Sequence, residues 1–399
     1  MHASPASASD EAPRGKPRGI FAEPSEAKDA IPPCDNLLAM LRIALQAGPQ
    51  SFLAKDDGEN FPAGSGEQVL IIGLNWLGDS VMAMPAIQAF AKAFPGKRLT
   101  MLVKPGLAEL WPMHPAIGET LVCAGSWPEM RKMAGQIRAR KFAAAFILPQ
   151  SFRSALIPFL ARIPVRRGMR GHFRSALLTE IVSLPSNPGH LHQQQEYMAI
   201  LGQEAGQDEF PALRISRVHA EKADAMLGQG QERWIGLIPG AARGPAKIWP
   251  ADYFAALGQI IRKKQGGNIV IFGSAAEKDL CARVCAGIGG VINHAEGVIN
   301  LAGRTNLPAL AALMARCSVV IGNDSGGVHL AAAAGAAVIA IFGITDPAKT
   351  RPLGKKVVVL QDSLLRARDI PRRSAEAEES LKKISPELVA EAVRTLLNA

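Results

Sequence analysis

Carboxylates are missing from one long stretch of this chain. Between Met130 and Thr179 stand 11 lysines and arginines and no aspartate or glutamate. Aromatic residues are also scarce, at 5% of 399 positions, so the core must be built from Ala, Leu, Ile and Val. Five cysteines, an odd number in a chain this long, argue against a disulfide scaffold and for a reducing compartment. No apolar run reaches the ~18 residues of a spanning helix, and the first residues lack the apolar centre of a secretory signal. Glycine (38) and proline (28) follow no Gly-X-Y period, which excludes collagen and leaves room for tight turns. Walker A, G-x-G-x-x-G and G-x-S-x-G patterns are absent, and no His, Cys and Asp residues fall at metal-ligand spacing. Cys281 and Cys285, four apart on a helix with no second pair, read as core packing.

The formal charge is +10. Residues 1–66 hold six basic and nine acidic residues, a balance of −3, so the remainder carries +13. The acid-free stretch (Arg131, Lys132, Arg138, Arg140, Lys141, Arg153, Arg162, Arg166, Arg167, Arg170 and Arg174) concentrates anions. Nucleic acid, acidic lipid headgroups and phosphorylated sugars are the anions to consider, against the plain reading of a solvated face. Little aromatic interleaving and no recognisable binding module speak against nucleic acid.

Residues 1–33 read as a disordered tail, Asn36–Ala47 as a helix stopped by Gly48-Pro49, and Asp56–Gly66 as a polar linker. The extension 1–66 is thus low-complexity with one helix. A strand at Val69–Gly73, a loop through Asp79 and a helix from Ser80 to Phe94, with Pro85 inside, open an α/β pattern continued by strands at 99–103 and 143–148. The pattern restarts near Arg233. Strands are predicted at 234–240, 268–273, 318–322 and 337–343, and helices at 249–264, 277–286 and 327–334. A last helix is capped by Ser385. The two α/β halves meet within 205–232, taken as domains 67–215 and 216–399. A ligand cleft is expected between them at the strands' carboxyl ends.

Three segments offer chemistry. Gly78-Asp79 puts a carboxylate at a strand-to-helix switch near a helix N-terminus, a place for a general base or a plain N-cap. Residues 239–250, PGAARGPAKIWP, form a Gly/Ala loop whose N–H groups at Gly240, Ala241 and Ala242 can approach an anion, with Lys247 as a point charge. Residues 322–329, GNDSGGVH, join a strand to an Ala-rich helix. Ser325, Gly326 and Gly327 offer free N–H groups to a diphosphate, Asp324 can accept from sugar hydroxyls, and His329 lies one turn in. The blander readings are an N-cap for Asp324 and a satisfied buried imidazole for His329. Ser274 and Glu277 in GSAAE, where Glu277 can hold a ribose diol, and Thr345-Asp346-Pro347 are lesser candidates.

Together these pieces resemble the ADP-heptose:lipopolysaccharide heptosyltransferases of glycosyltransferase family 9, nearest to their type II branch. The marks are NWLGD (75–79), LPQSFRSALIPF (148–159), RIPVRRGMRG (162–171), PGAARGPAKIWP (239–250), FGSAAE (272–277), NLAGRTNL (300–307), CSVVIGNDSGGVHLAAA (317–333) and FGITDP (342–347). They span four-fifths of the chain; residues 1–66 have no counterpart. The loop departs from the family at Ala241-Ala242-Arg243, where relatives often place Thr or Glu.

The resemblance implies a GT-B fold, two Rossmann-like domains facing across a cleft. It implies inverting, metal-independent transfer of heptose from ADP-heptose to the lipopolysaccharide inner core, with no cofactor. Asp79 matches the family's general base and Lys247 its diphosphate contact. Asp324, Ser325, Gly326 and His329 match the donor signature, Glu277 the ribose glutamate, and Thr305 falls near the adenine site. Arg153 matches an acceptor-side position, and Arg166, Arg167 and Arg170 join it from the basic stretch of the same lobe. A cytoplasmic monomer touching the acidic inner face of the inner membrane is expected, with no nucleic-acid partner. The competing readings are another GT-B nucleotide-sugar enzyme, such as an epimerase, and an inactive relative that binds lipid A or core.

Overall fold

The computed structural model describes residues 67–171, 173–184, 191–204, 210–228, 233–242, 244, 247–289, 297–362 and 374–398. The tail, the 36–47 helix and Arg243 lie outside them. Twelve strands in the described residues form two six-stranded sheets, parallel throughout. The first holds β1 (Gln68–Ile72), β2 (Arg98–Val103), β3 (Ile117–Val122), β4 (Ala144–Ile147), β5 (Val165–Met169) and β6 (Glu180–Val182) in the order β3-β2-β1-β4-β5-β6. The second holds β7 (Trp234–Ile238), β8 (Asn268–Ile271), β9 (Val298–Asn300), β10 (Val319–Asn323), β11 (Ala337–Ile341) and β12 (Val357–Leu360) in the order β12-β11-β10-β7-β8-β9. Counted within its own sheet, each order is 3-2-1-4-5-6, the doubly wound arrangement in which ligands bind at the reversal point. The fold is GT-B.

Central strands such as VLII and WIGLI are buried on both faces, as a parallel sheet covered by helices requires. The strands not legible in the sequence are β3, β5, β6, β9 and β12. β3 and β12 are edge strands only partly buried, β6 and β9 have three residues each, and β5 carries Arg166 and Arg167.

The helices in chain order are α1 (Leu77–Ala93), α2 (Trp127–Ala139), α3 (Phe152–Leu160), α4 (Gln193–Leu201), α5 (Arg217–Leu227), α6 (Ala251–Ile260), α7 (Lys278–Ile288), α8 (Leu307–Ala315), α9 (Gly326–Ala333), α10 (Pro347–Thr350), α11 (Ala375–Lys382) and α12 (Pro386–Asn398). One apolar cluster covers the outer face of the first sheet under α2 and α3, and another that of the second under α6, α7 and α12. The third is continuous through both lobes: Val81, Met84 and Ile87 of α1 belong to the same cluster as Val328 and Leu330 of α9. Among the described residues no helix is long and apolar enough to cross a membrane.

α1 begins earlier than the sequence indicates. Trp76 is its N-cap in extended conformation without a side-chain cap, and Ser80 N–H bonds Trp76 O at 2.9 Å. Asp79 therefore lies inside the first helical turn, neither in the preceding loop nor at the N-cap. The Ser385 cap is present as expected, its Oγ accepting from Leu388 N at 3.2 Å.

Candidate active site

The carboxyl ends of β1, β2, β7, β10 and β11 all lead into one cleft of about 390 Å³. Asn75, Trp76, Leu77, Gly78, Asp79 and Met82 line it after β1, and Lys104, Gly106 and Leu107 after β2. Ala242 and Lys247 follow β7; Asp324, Ser325, Gly326 and His329 follow β10; Thr345 and Thr350 follow β11. Gln193 and Leu307 complete the wall.

Two glycines let the lobes meet here. A Cβ built on Gly326 would stand 2.8 Å from Leu77 Cβ and 3.2 Å from the Gly78 nitrogen, and one on Gly78 would stand 3.1 Å from His329 Cδ2. The N-termini of α1 and α9 therefore abut, and both dipoles favour negative charge in the same space. Asp79 is the acidic residue of the first of these turns.

On the other wall the Lys247 ammonium is bonded to the Asp324 carboxylate, both side chains largely buried. Asn323, fully buried, holds that wall together. Its Nδ2 donates to Pro239 O at 2.7 Å, and its Oδ1 accepts from Trp249 N at 2.9 Å. This fixes both ends of the 239–249 loop. Ser325 is the N-cap of α9, yet its hydroxyl makes no capping bond. Ser325 Oγ and His329 Nδ1 are buried with no hydrogen-bond partner among the described residues. Two orphaned polar atoms on one cleft wall call for polar ligand atoms. Burial pushes the His329 imidazole down to about 4, the Asp324 carboxylate opposing this only in part, so the ring is neutral near pH 7.

The remaining donor-side candidates follow β7, β8 and β9. The Ser274 N–H donates to Glu277 Oε2 at 2.7 Å in a capping box that opens α7. A Cβ on Gly240 would strike the Glu277 carboxylate, so glycine there leaves that carboxylate its room. Gly240, Ala241, Ser274, Glu277 and Thr305 are not among the residues lining the cleft. Thr305 precedes α8, whose Leu307 does line it.

The four arginines assigned to the acceptor separate into two pairs. Arg153 and Arg170 are exposed at the carboxyl ends of β4 and β5, with Arg153 Nη2 donating to Gly125 O at 2.6 Å. Arg166 and Arg167 are held in the fold. Arg166 donates to Leu177 O (2.7 Å) and Ile163 O (2.6 Å), and Arg167 to Ile200 O (2.9 Å) and Glu180 Oε2 (3.1 Å). None of the four lines the cleft. A second cavity, of about 500 Å³, walled by Ile137, Phe142, Ile163 and the basic residues Arg138, Lys141 and Arg162, lies at the opposite, amino ends of β4 and β5. The acid-free stretch thus occupies two faces of the lobe.

Several further residues join the site from elements without a motif. Lys104 adds an exposed cation to the cleft. On α4, Gln193 Nε2 donates to the Tyr197 hydroxyl at 2.7 Å. Burial raises the Glu196 carboxyl, the nearby Lys349 ammonium lowers it, and the Asp79 carboxylate raises it further. Asp79 and Glu196 thus share one field. His192 Nδ1 accepts from Gln194 N at 3.1 Å, so Nε2 carries the proton and donates to Arg351 O at 3.0 Å, tying α4 to the far lobe. Arg174 is fully buried and donates to Met169 O, Pro149 O and Ser154 Oγ; burial lowers its guanidinium to about 10. Of these only Arg174 stands out in the sequence, as one of the acid-free stretch; Lys104, His192, Gln193 and Glu196 lie far in sequence from the motifs with which they act. Among the described residues no group of three or more His, Cys, Asp or Glu side chains is placed to hold a metal ion.

The profile of glycosyltransferase family 9 (heptosyltransferase) matches residues 130–378. Lipooligosaccharide heptosyltransferase 2 of Haemophilus ducreyi is 31% identical over 351 residues, covering 83% of this chain and 99% of its own. Lipopolysaccharide heptosyltransferase 2 of Escherichia coli K12 is 30% identical, covering 83% and 98%. The solved structure of E. coli ADP-heptose lps heptosyltransferase II superposes with a TM-score of 0.72 at 29% identity, over 83% of this chain and 98% of that one. On the family match over residues 130–378 and these identities over four-fifths of its length, the chain belongs to glycosyltransferase family 9, the heptosyltransferases.

Proposed function

We propose that this chain transfers the heptosyl group of ADP-heptose to a lipopolysaccharide inner-core acceptor, with inversion at the anomeric carbon. The observation that carries the reading is the meeting of Asp79 with Lys247, Asp324, Ser325 and His329 in one cleft where two helix N-termini abut. Relatives that are themselves named heptosyltransferase 2 support the sugar and the acceptor class. Asp79 takes the proton of the acceptor hydroxyl as that oxygen bonds the anomeric carbon. The bond from this carbon to the β-phosphate oxygen breaks on the opposite face, and ADP leaves. Lys247 and the N–H groups at Ser325–Gly327 meet the charge that develops on the leaving diphosphate. Asp324, released in part from Lys247, and His329 hold the sugar hydroxyls.

Glu277 and Ser274 position the ribose, and Thr305 lies toward the adenine, with Gly240, Ala241 and Ala242 forming the floor of the donor lobe, residues 216–399. Arg153 and Arg170 receive the acceptor on the lobe of residues 67–215, and Arg166 and Arg167 shape the strand that presents Arg170. The cations and helix N-termini do the work of a metal, so transfer proceeds in EDTA. The enzyme works as a cytoplasmic monomer at the inner face of the inner membrane. Mass spectrometry of ADP release and heptosyl gain on defined core oligosaccharides tests the reading. Donor turnover without acceptor gain would favour an epimerase, and donor binding without turnover an inactive relative.

A further inference from the structure

The connection between β5 and β6 carries an aromatic side chain that the reaction leaves unused. Phe173 is 99% exposed, whereas the other exposed large hydrophobics among the described residues, Val122, Ile181, Val218 and Leu388, lie between 40% and 57%. Single apolar side chains at a surface are ordinary; a phenyl ring bared almost completely is not. Its backbone sits at φ 57°, the left-handed region that residues with a Cβ avoid.

The stem beneath the ring is built rather than loose. Arg174 N–H donates to Gly171 O at 3.0 Å. Gly171 lies so close to the loop after β4 that a Cβ there would stand 3.2 Å from Gln150 O. The buried Arg174 guanidinium clamps Met169 O and Pro149 O, joining the end of β5 to the loop that follows β4. Gly171 and Arg174, on either side of the ring, are thus both anchored.

Its surroundings are cationic. Arg170 is exposed at the base of the turn, and Arg153 is exposed in the first turn of α3, after β4. No carboxylate occurs in the chain from Met130 to Thr179. β5 is two strands from β1, which leads to Asp79, so this rim lies roughly 10 Å to the side of the cleft at the same end of the sheet. An aromatic tip on a rim that carries exposed arginines matches a bilayer interface, with the ring at the acyl boundary and the cations at the phosphates.

We infer that Phe173, with the exposed Arg170 at the base of its turn and Arg153 on the neighbouring rim, docks this lobe on an anionic lipid surface and turns the cleft mouth toward the membrane. The inference rests on the reading of the acceptor as a lipid-anchored core saccharide. It is tested by co-sedimentation of the full chain with phosphatidylcholine vesicles, with and without phosphatidylglycerol, using wild type, Phe173→Ser and Phe173→Trp. In parallel, heptosyl transfer to a deacylated, water-soluble core acceptor is measured for all three. Wild type should bind only the anionic vesicles; Phe173→Ser should lose about tenfold in partitioning, the scale of one buried ring. Phe173→Trp should bind as wild type, and all three should transfer equally to the soluble acceptor. Unchanged vesicle binding by Phe173→Ser, or no binding by wild type, overturns the docking role. So does a parallel loss of transfer to the soluble acceptor, which would make the ring an acceptor contact. Phe173-dependent vesicle binding by a chain that transfers no heptose would uphold the docking and overturn the reaction.

Discussion

Asn323 and Trp249 are joined by a buried hydrogen bond, the Trp249 backbone N–H donating to Asn323 Oδ1 at 2.9 Å. They are 74 residues apart, and through this bond the strand that ends at Asn323 and leads to Asp324 fixes the loop that carries Lys247. Asn323→Leu keeps the branched shape and removes every partner. It should cost about 1–3 kcal/mol of stability through the unpaired Trp249 N–H. It should also raise the donor KM at least about tenfold with the acceptor KM steady, since only the donor wall loosens. Thermal unfolding and steady-state kinetics read the two effects.

Lys247 and Asp324 form a largely buried pair, so each substitution has two consequences. Lys247→Ala should weaken ADP binding by roughly 1.5–3 kcal/mol, the scale of a charge-assisted hydrogen bond. It should also destabilise the free protein by about 3 kcal/mol, because Asp324 is left buried without its cation. Calorimetry with ADP and denaturant unfolding without it separate these; unaltered ADP affinity removes Lys247 from the donor site.

Two buried imidazoles make the fold acid-sensitive. Burial lowers His114 and His329 each from 6.5 to about 4. The unfolded chain therefore binds more protons than the folded one between these values. Stability is full above pH 6.5 and declines as the pH falls toward 4, by about 2 kcal/mol per imidazole at pH 5. Unfolding free energies at pH 7, 6 and 5 should follow this slope, and His114→Gln should reduce it by about half.

The sequence made the centre of each sheet legible and left the rims obscure, for a physical reason. VLII and WIGLI are buried on both faces and can be little else than parallel strands. VRRGM does not read as β5, because its arginines stay in the sheet by bonding Leu177 O, Ile200 O and Glu180, partners 11 to 33 residues away in the chain. The same holds for the site. Asp79, Lys247 and the 324–329 turn carry local signals, whereas Lys104, Gln193 and Glu196 reach it only through the packing of whole elements. The 11 positive charges were legible as a count, but their division between two ends of the sheet follows from strand direction.

That division makes a kinetic prediction. Arg153→Ala with Arg170→Ala should raise the acceptor KM and flatten its dependence on ionic strength, because fewer screened contacts remain. The donor KM should stay within about twofold. Arg166→Ala and Arg167→Ala should instead lower the melting temperature, since their N–H groups serve carbonyls of the fold. Wild-type acceptor kinetics at every salt concentration for the Arg153/Arg170 variant would mark that rim as solvated surface only.

Asp79 as general base is the claim on which the chemistry turns, and a single-turnover comparison tests it most directly. ADP-heptose and a defined inner-core acceptor are mixed with excess wild type or Asp79→Ala in EDTA, and ADP release and heptosyl gain are followed together. Wild type should convert the donor, and Asp79→Ala should be slower by on the order of 100-fold or more while binding ADP-heptose with wild-type affinity. Near-normal turnover by Asp79→Ala, or wild-type transfer that EDTA abolishes, would contradict the account.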